Sequence, residues 1–196
     1  MKRGSICIRL GLVLIALALG LWGWNLWENH QADTASVQVV QALTAAQPER
    51  PPVQPTQLEY VQFPQREMPE QELNGQRYVA TLEIPKLGLT LPVISRWSQE
   101  GFQIAPCRYL GSAYTGDLII AAHNYPAHFG RLKELQPGDG VYLTDMEGSR
   151  FSYRLLEQEI LLGTDVAAME EGDWDLTLFT CTIGGRYRVT LRFEEV

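Results

Sequence analysis

The C-terminal part of this 196-residue sequence predicts an all-β domain, a closed barrel, set behind an N-terminal apolar span. Three observations carry that expectation. About seven or eight short runs of strand formers are separated by turn-sized gaps. Little helical periodicity remains to cover a parallel sheet. Continuous apolar runs stand beside alternating ones, which favours a barrel over a sandwich.

In chain order, Met1-Lys2-Arg3 opens with positive charge, and Arg9 adds another. Residues 10–27 are uncharged and almost wholly apolar. With Ile6-Cys7-Ile8 they reach the ~20 residues a helix needs to cross a bilayer. Arg9 can snorkel to one interface, while Trp22, Trp24 and Trp27 suit the other. The basic residues before the span and Glu28 after it place residues 1–9 in the cytoplasm and the remainder outside. A cleaved secretory signal is the alternative, with Ala32-Asp33-Thr34-Ala35 as the nearest small-residue site. Either reading exports the rest of the chain.

Residues 28–73 are rich in Gln, Pro, Ala and Glu and predict an extended stalk. Pro48, Pro51, Pro52, Pro55, Pro64 and Pro69 break regular structure there. Residues 74–196 form the folded domain. Arg77 to Ile84 alternates as a strand, and Leu89 to Ile94 supplies a short partner after Pro85 and Gly88. Asp117 to Ala122 is a continuous apolar run, the pattern of a buried strand. Phe129, Leu132 and Leu135 have helical spacing, enough for one or two turns. Further strands are expected over Val141–Asp145, Phe151–Leu162 (bending or dividing), Leu176–Thr180 and Tyr187–Phe193.

A net charge of -7 argues against a nucleic-acid partner, which favours a concentrated basic surface. Of the three cysteines, Cys7 lies at the span and Cys107 in the irregular segment A-P-C-R-Y-L-G. Cys181 ends an apolar strand directly before T-I-G-G. It reads as a nucleophile, as a disulfide partner of Cys107, or as an inert buried thiol. His123, in I-I-A-A-H-N-Y-P, follows another buried strand in the same way. A cysteine and an imidazole at two core strand ends meet the needs of thiol catalysis. His30 lies beside the membrane, and His128 reads as a surface or helix-capping residue.

Metal binding by His123, His128 and Cys181 is disfavoured, because their spacing matches no common ligand set. No cofactor is expected. Asp139, Asp145, Glu147 and Glu170 are the acidic residues through which calcium could act on a loop. Arg186, Arg188 and Arg192 recur at even spacing, so period-two geometry puts all three on one face. A guanidinium beside Cys181 can donate paired hydrogen bonds to a carbonyl oxygen becoming an oxyanion. The alternative is a solvated arginine stripe next to Glu194 and Glu195. For the whole domain, the alternative is an exported β-module that binds or supports and catalyses nothing.

Thr177-Leu178-Phe179-Thr180-Cys181 resembles the T-L-x-T-C signature of sortases, the membrane-anchored cysteine transpeptidases of Gram-positive bacteria. Ala122-His123-Asn124 resembles their histidine segment, with alanine in place of the usual glycine. Arg188-Val189-Thr190-Leu191 resembles their arginine strand, although R-Y-R-V can be aligned from Arg186 as well. The resemblance runs from about Tyr78 to Phe193 and implies an eight-stranded barrel. It implies cleavage of an L-P-x-T-G-like sorting signal on surface proteins and transfer to an amine, such as a cell-wall precursor or a pilin lysine. By the same resemblance Cys181 is the nucleophile, His123 the proton carrier and Arg188 the oxyanion donor. The segment from Gly163 to Asp175 is short for the helix-bearing insertion of class B enzymes.

Overall fold

The structure is a computed structural model that describes residues 2–46, 60, 63 and 65–196. Pro48, Pro51, Pro52, Pro55 and Pro64 of the expected stalk lie outside the described residues. One helix, α1, runs Lys2–Ala46. Within it Ile8–Trp27 is long and apolar enough to cross a membrane. The extended stalk expected over residues 28–73 is corrected for its first part: residues 28–46 continue the helix. That part of the sequence holds no proline before Pro48 and is rich in Ala and Gln, which favour helix. The end of α1 docks on the domain, where Leu43 is fully buried against Tyr78, Ile94 and Cys107.

Among the described residues the domain contains nine strands. They are β1 (Gln71–Leu73), β2 (Gln76–Ile84), β3 (Leu89–Ile94), β4 (Cys107–Leu110) and β5 (Leu118–Ala122). They continue with β6 (Gly140–Asp145), β7 (Arg150–Leu162), β8 (Leu176–Cys181) and β9 (Tyr187–Glu195). Their order is β1-β2-β3-β4-β5-β8-β9-β7-β6, and β6 pairs again with β2. That last pairing, Ala80↔Asp145 to Glu83↔Tyr142, closes eight strands into a barrel. Closure removes the free edges that an open sheet would present. β1 is an added strand, joined to β2 by the Asn74-Gly75 turn, where both residues have positive φ.

The pairings β3–β4 and β5–β8 are parallel, and the others are antiparallel. Alternation sorts side chains into the barrel. Leu118, Ile120 and Ala122 of β5 meet Leu176 and Leu178 of β8 and Leu191 and Phe193 of β9 in the core. The long segment expected to bend or divide is one strand, β7, whose pairing with β9 shifts register between Leu155 and Glu157.

The helical turns expected over Phe129 to Leu135 reduce to a 3-10 turn at Leu132–Glu134. Phe129, Leu132 and Leu135 all bury into the barrel, and that anchoring accounts for their spacing. Two short helices were not expected. α2 (Gln99–Ile104) starts where the Ser98 hydroxyl accepts from Gly101 N, at 2.9 Å. α3 (Val166–Glu170) starts where the Asp165 carboxylate accepts from Ala168 N, at 3.1 Å.

Candidate active site

Strand register assembles the site. β5 and β8 run parallel, and their last pair is Ala122↔Thr180. One step further along each strand stand His123 and Cys181. The Thr180 hydroxyl donates to Ala122 O at 2.8 Å and ties the two strand ends together. On the other side of β8, the antiparallel ladder puts Arg188 of β9 opposite Cys181. Cys181 therefore has His123 at the end of one neighbouring strand and Arg188 on the other.

All three belong to the outer face of the barrel, because the alternate positions fill its interior. Ala121, Phe179, Cys181 and Arg188 line a cavity of about 250 Å³. Its walls include Trp97, Phe102 and Tyr109, with residues 162–169 closing one side. Tyr109 meets Phe179 edge-on, with ring centroids 5.6 Å apart. The His123 imidazole contacts two rings, with centroids 4.2 Å away at Phe102 and 5.0 Å at Tyr125. These ring contacts orient the imidazole.

The Arg188 guanidinium is held from behind. Its Nη1 donates to Gly185 O at 2.8 Å and to Tyr187 O at 3.2 Å. Gly163 makes room for it: a Cβ there would lie 2.8 Å from Arg188 Nη1 and 3.1 Å from Arg186 O. Gly163 N also donates to Arg186 O at 2.9 Å, fixing the β7 exit against the turn.

The common face expected for the three arginines is corrected. Arg186 precedes β9, and its guanidinium lies over the Tyr187 ring at 5.3 Å. Arg192 shares the face of Arg188 but is 2% exposed and pairs with Thr177. It donates to Glu159 Oε1 (2.7 Å), Met169 O (2.8 Å), Thr177 Oγ1 (3.0 Å) and Ala168 O (2.6 Å). The solvated stripe is therefore wrong for Arg192, which pins α3 and with it one wall of the cavity.

Two more expectations change. Cys107 is in β4 and not in an irregular segment, and it is fully buried beneath α1 and α2. Burial pushes its thiol up to about 11. Cys107 pairs with Ala121, and Ala121 with Phe179. It is thus two strands from β8, about 10 Å at the usual strand spacing and too far for a disulfide. Both cysteines are free, and Cys181 is half-buried. His128, expected at the surface or a helix cap, is fully buried with neither ring nitrogen hydrogen-bonded. Its loop turns tightly around it, with His128 N and Gly130 N both donating to Tyr125 O. Burial, then the nearby His123, lowers its pKa to about 4.

Three of the four acidic residues named for calcium are engaged elsewhere, and Glu170 is exposed. Asp139 pairs with Lys86 and Glu147 with Arg66, while Asp145 accepts from Ser149 N and Tyr114 Oη. Among the described residues, no group of three or more His, Cys, Asp or Glu side chains is placed to hold a metal ion.

The aromatic walls were not anticipated from sequence. Phe179 alone had a readable signal, since it alternates with Cys181 in T-L-F-T-C. Trp97, Phe102 and Tyr109 reach the site from α2, its preceding loop and the short strand β4, none of which local pattern revealed.

The strand register thus brings a thiol, an imidazole and a guanidinium to one outer face of a closed barrel. The chain belongs to the sortase family: the sortase domain matches residues 82–194. Solved structures of similar fold are sortases of several classes. Sortase A from Corynebacterium diphtheriae is 17% identical, with a TM-score of 0.57, over 91% of this chain and 95% of that one. The sortase D5 transpeptidase of Clostridium perfringens is 21% identical, with a TM-score of 0.55, over 64% and 82%. Sortase C of Clostridium perfringens, solved with the C-terminal cell wall sorting motif, is 20% identical, with a TM-score of 0.53, over 66% and 73%. A sequence comparison with curated proteins gives no match.

Proposed function

We propose that this protein is a membrane-anchored transpeptidase that cuts an L-P-x-T-G-like sorting signal between Thr and Gly. One observation carries the reading: the register that stands Cys181 opposite Arg188 and one strand from His123.

The Cys181 thiolate attacks the threonine carbonyl carbon, forming a C–S bond while the π electrons move to oxygen. Arg188 donates hydrogen bonds to that oxygen as it gains charge. When the C=O re-forms, the C–N bond to glycine breaks. His123, protonated, gives its proton to the departing amine. A thioester remains on Cys181. An incoming amine attacks the same carbon, His123 removes its proton, and the thiolate leaves. Water and amine compete for the same thioester, and hydrolysis dominates only when no good amine is present. These steps use no cofactor.

The accepting amine is one displayed outside the cell, on a cell-wall precursor or a pilin lysine. Residues 10–27, within the apolar stretch Ile8–Trp27, are the anchor, with residues 1–9 cytoplasmic and the barrel outside.

The test uses the full-length protein in detergent with L-P-x-T-G-like peptides and a primary amine. Mass spectrometry should find cleavage after Thr, amine in the product, and a thioester on the peptide containing Cys181. Turnover that survives Cys181→Ala would overturn the proposal. So would a set of sorting peptides that the wild-type protein never cleaves.

A further inference from the structure

The helix that contains the apolar stretch Ile8–Trp27 continues without a break to Ala46. Over its last turns Ser36 and Leu43 are buried and Val39 is half-buried. That spacing of three and four marks one helix face. Val37 lies off that face and is exposed. A flexible tether has no need of such a face.

Leu43 enters a cluster separate from the main barrel core, with Tyr78, Ile94, Ala105 and Cys107. Phe102 and Ile104, both from α2, pack against that cluster. α2 has six residues, too few to hold a helix by its own hydrogen bonds. Its place is therefore set by what it packs on. Gly101 brings it close onto β3, where an added Cβ would lie 3.2 Å from Ile94 Cδ1. α1 packs against it as well. What α2 carries bears on the chemistry, since the Phe102 ring is one of the two that contact His123.

We propose that Leu43 is a positioning residue: the end of α1 fixes α2, and through Phe102 it fixes the orientation of the His123 imidazole. The kinetic consequence rests on the transpeptidase reading, and the structural one does not. A proton carrier works only within hydrogen-bond reach of the proton it moves. Displacing such a group by about 1 Å can cost up to ~100-fold in rate. The anchor helix then serves the site as well as the membrane.

The test uses nuclear magnetic resonance on the full-length protein in detergent, with carbon-13 placed at Cε1 of histidine. The chain has three histidines, so three ring signals arise, and His123→Gln identifies its own by loss. Phe102→Ala should move the His123 signal, because it removes the ring current of Phe102. Leu43→Ala should move it in the same direction, while Leu43→Met, of similar volume, should leave it at the wild-type position. Val37→Ala should leave it there too. The His128 signal, from a side chain enclosed elsewhere in the domain, should hold in every Leu43 variant. With L-P-x-T-G-like peptides, Leu43→Ala should lower kcat about 10-fold and change KM less than about 2-fold. In a Phe102→Ala background the same substitution should cost nothing further, since residues acting through one contact are not additive.

A His123 signal that Leu43→Ala leaves unmoved overturns the proposal, as does an equal loss of kcat with and without Phe102. A His128 signal that moves along with it also overturns the proposal, because Leu43 would then be supporting the whole fold. If the wild type cleaves no sorting peptide, the transpeptidase reading falls, and the histidine signals still decide this one.

Discussion

Arg188 stands opposite Cys181 across the β8–β9 ladder, while Arg192, on the same face of the same strand, stands opposite Thr177. Equal residue types on one strand face thus have unlike surroundings. Arg188 opens onto a cavity, and Arg192 is enclosed by α3. This difference orders the expected effects of mutation.

Arg188→Ala should lower kcat by about 100-fold, since loss of one oxyanion donor costs roughly 3 kcal/mol. Arg186→Ala should leave kcat nearly unchanged, because its guanidinium lies on Tyr187. Steady-state kinetics on both variants checks this. Equal small effects would remove the oxyanion role from both arginines.

Gly163→Ala should damage turnover without unfolding the barrel. The new Cβ would crowd Arg188 Nη1 and the backbone oxygen of Arg186. A shift of about 1 Å in such a group can cost up to ~100-fold in rate. The matching control is an unchanged thermal midpoint.

Arg192→Ala should act on stability. It leaves the Ala168 and Met169 carbonyls and Glu159 without their partner, which costs about 3 kcal/mol. Denaturant titration should show the loss. A stable variant with a lowered kcat would instead mark Arg192 as part of the chemistry.

His128 ties stability to pH. Its folded pKa, about 4, lies below the ordinary 6.5, so the unfolded chain binds the proton more readily. The stability it contributes is complete above pH 6.5 and is lost as pH falls through 4. The span of the effect is about 3 kcal/mol. His128→Phe should flatten unfolding free energy over that window, measured by denaturant titration at several pH values.

Alkylation should distinguish the two domain cysteines. At about pH 7.5 only roughly one Cys107 in several thousand is thiolate, and the residue is buried. Cys181 borders a cavity and should label in the folded protein. Peptide mapping should find Cys107 labelled only after unfolding. A Cys107–Cys181 disulfide under non-reducing conditions would contradict the strand register.

Much of this molecule is local and therefore legible. The apolar run that holds Ile8–Trp27, the alternation of β2 and the end of β8 at Cys181 depend only on neighbouring residues. So do the strand-end positions of His123 and Cys181, because each follows an apolar run that has to be buried. A barrel was predictable once the strands were short, numerous and free of covering helices. The aromatic walls were not, since Phe102 and Tyr109 enter the site from segments too short to show a period.

Runs of residues and their boundaries are enough to mark most of the strands, the membrane-spanning length, and the cysteine and histidine that end core strands. They are not enough to face Arg188 towards Cys181 or to anchor α3 on Arg192. Nor do they bury Cys107 two strands from β8, or enclose His128. Each of those outcomes depends on how distant strands pair and on the elements packed over them. Register and burial are set by contacts far apart in the chain, and no local pattern contains them.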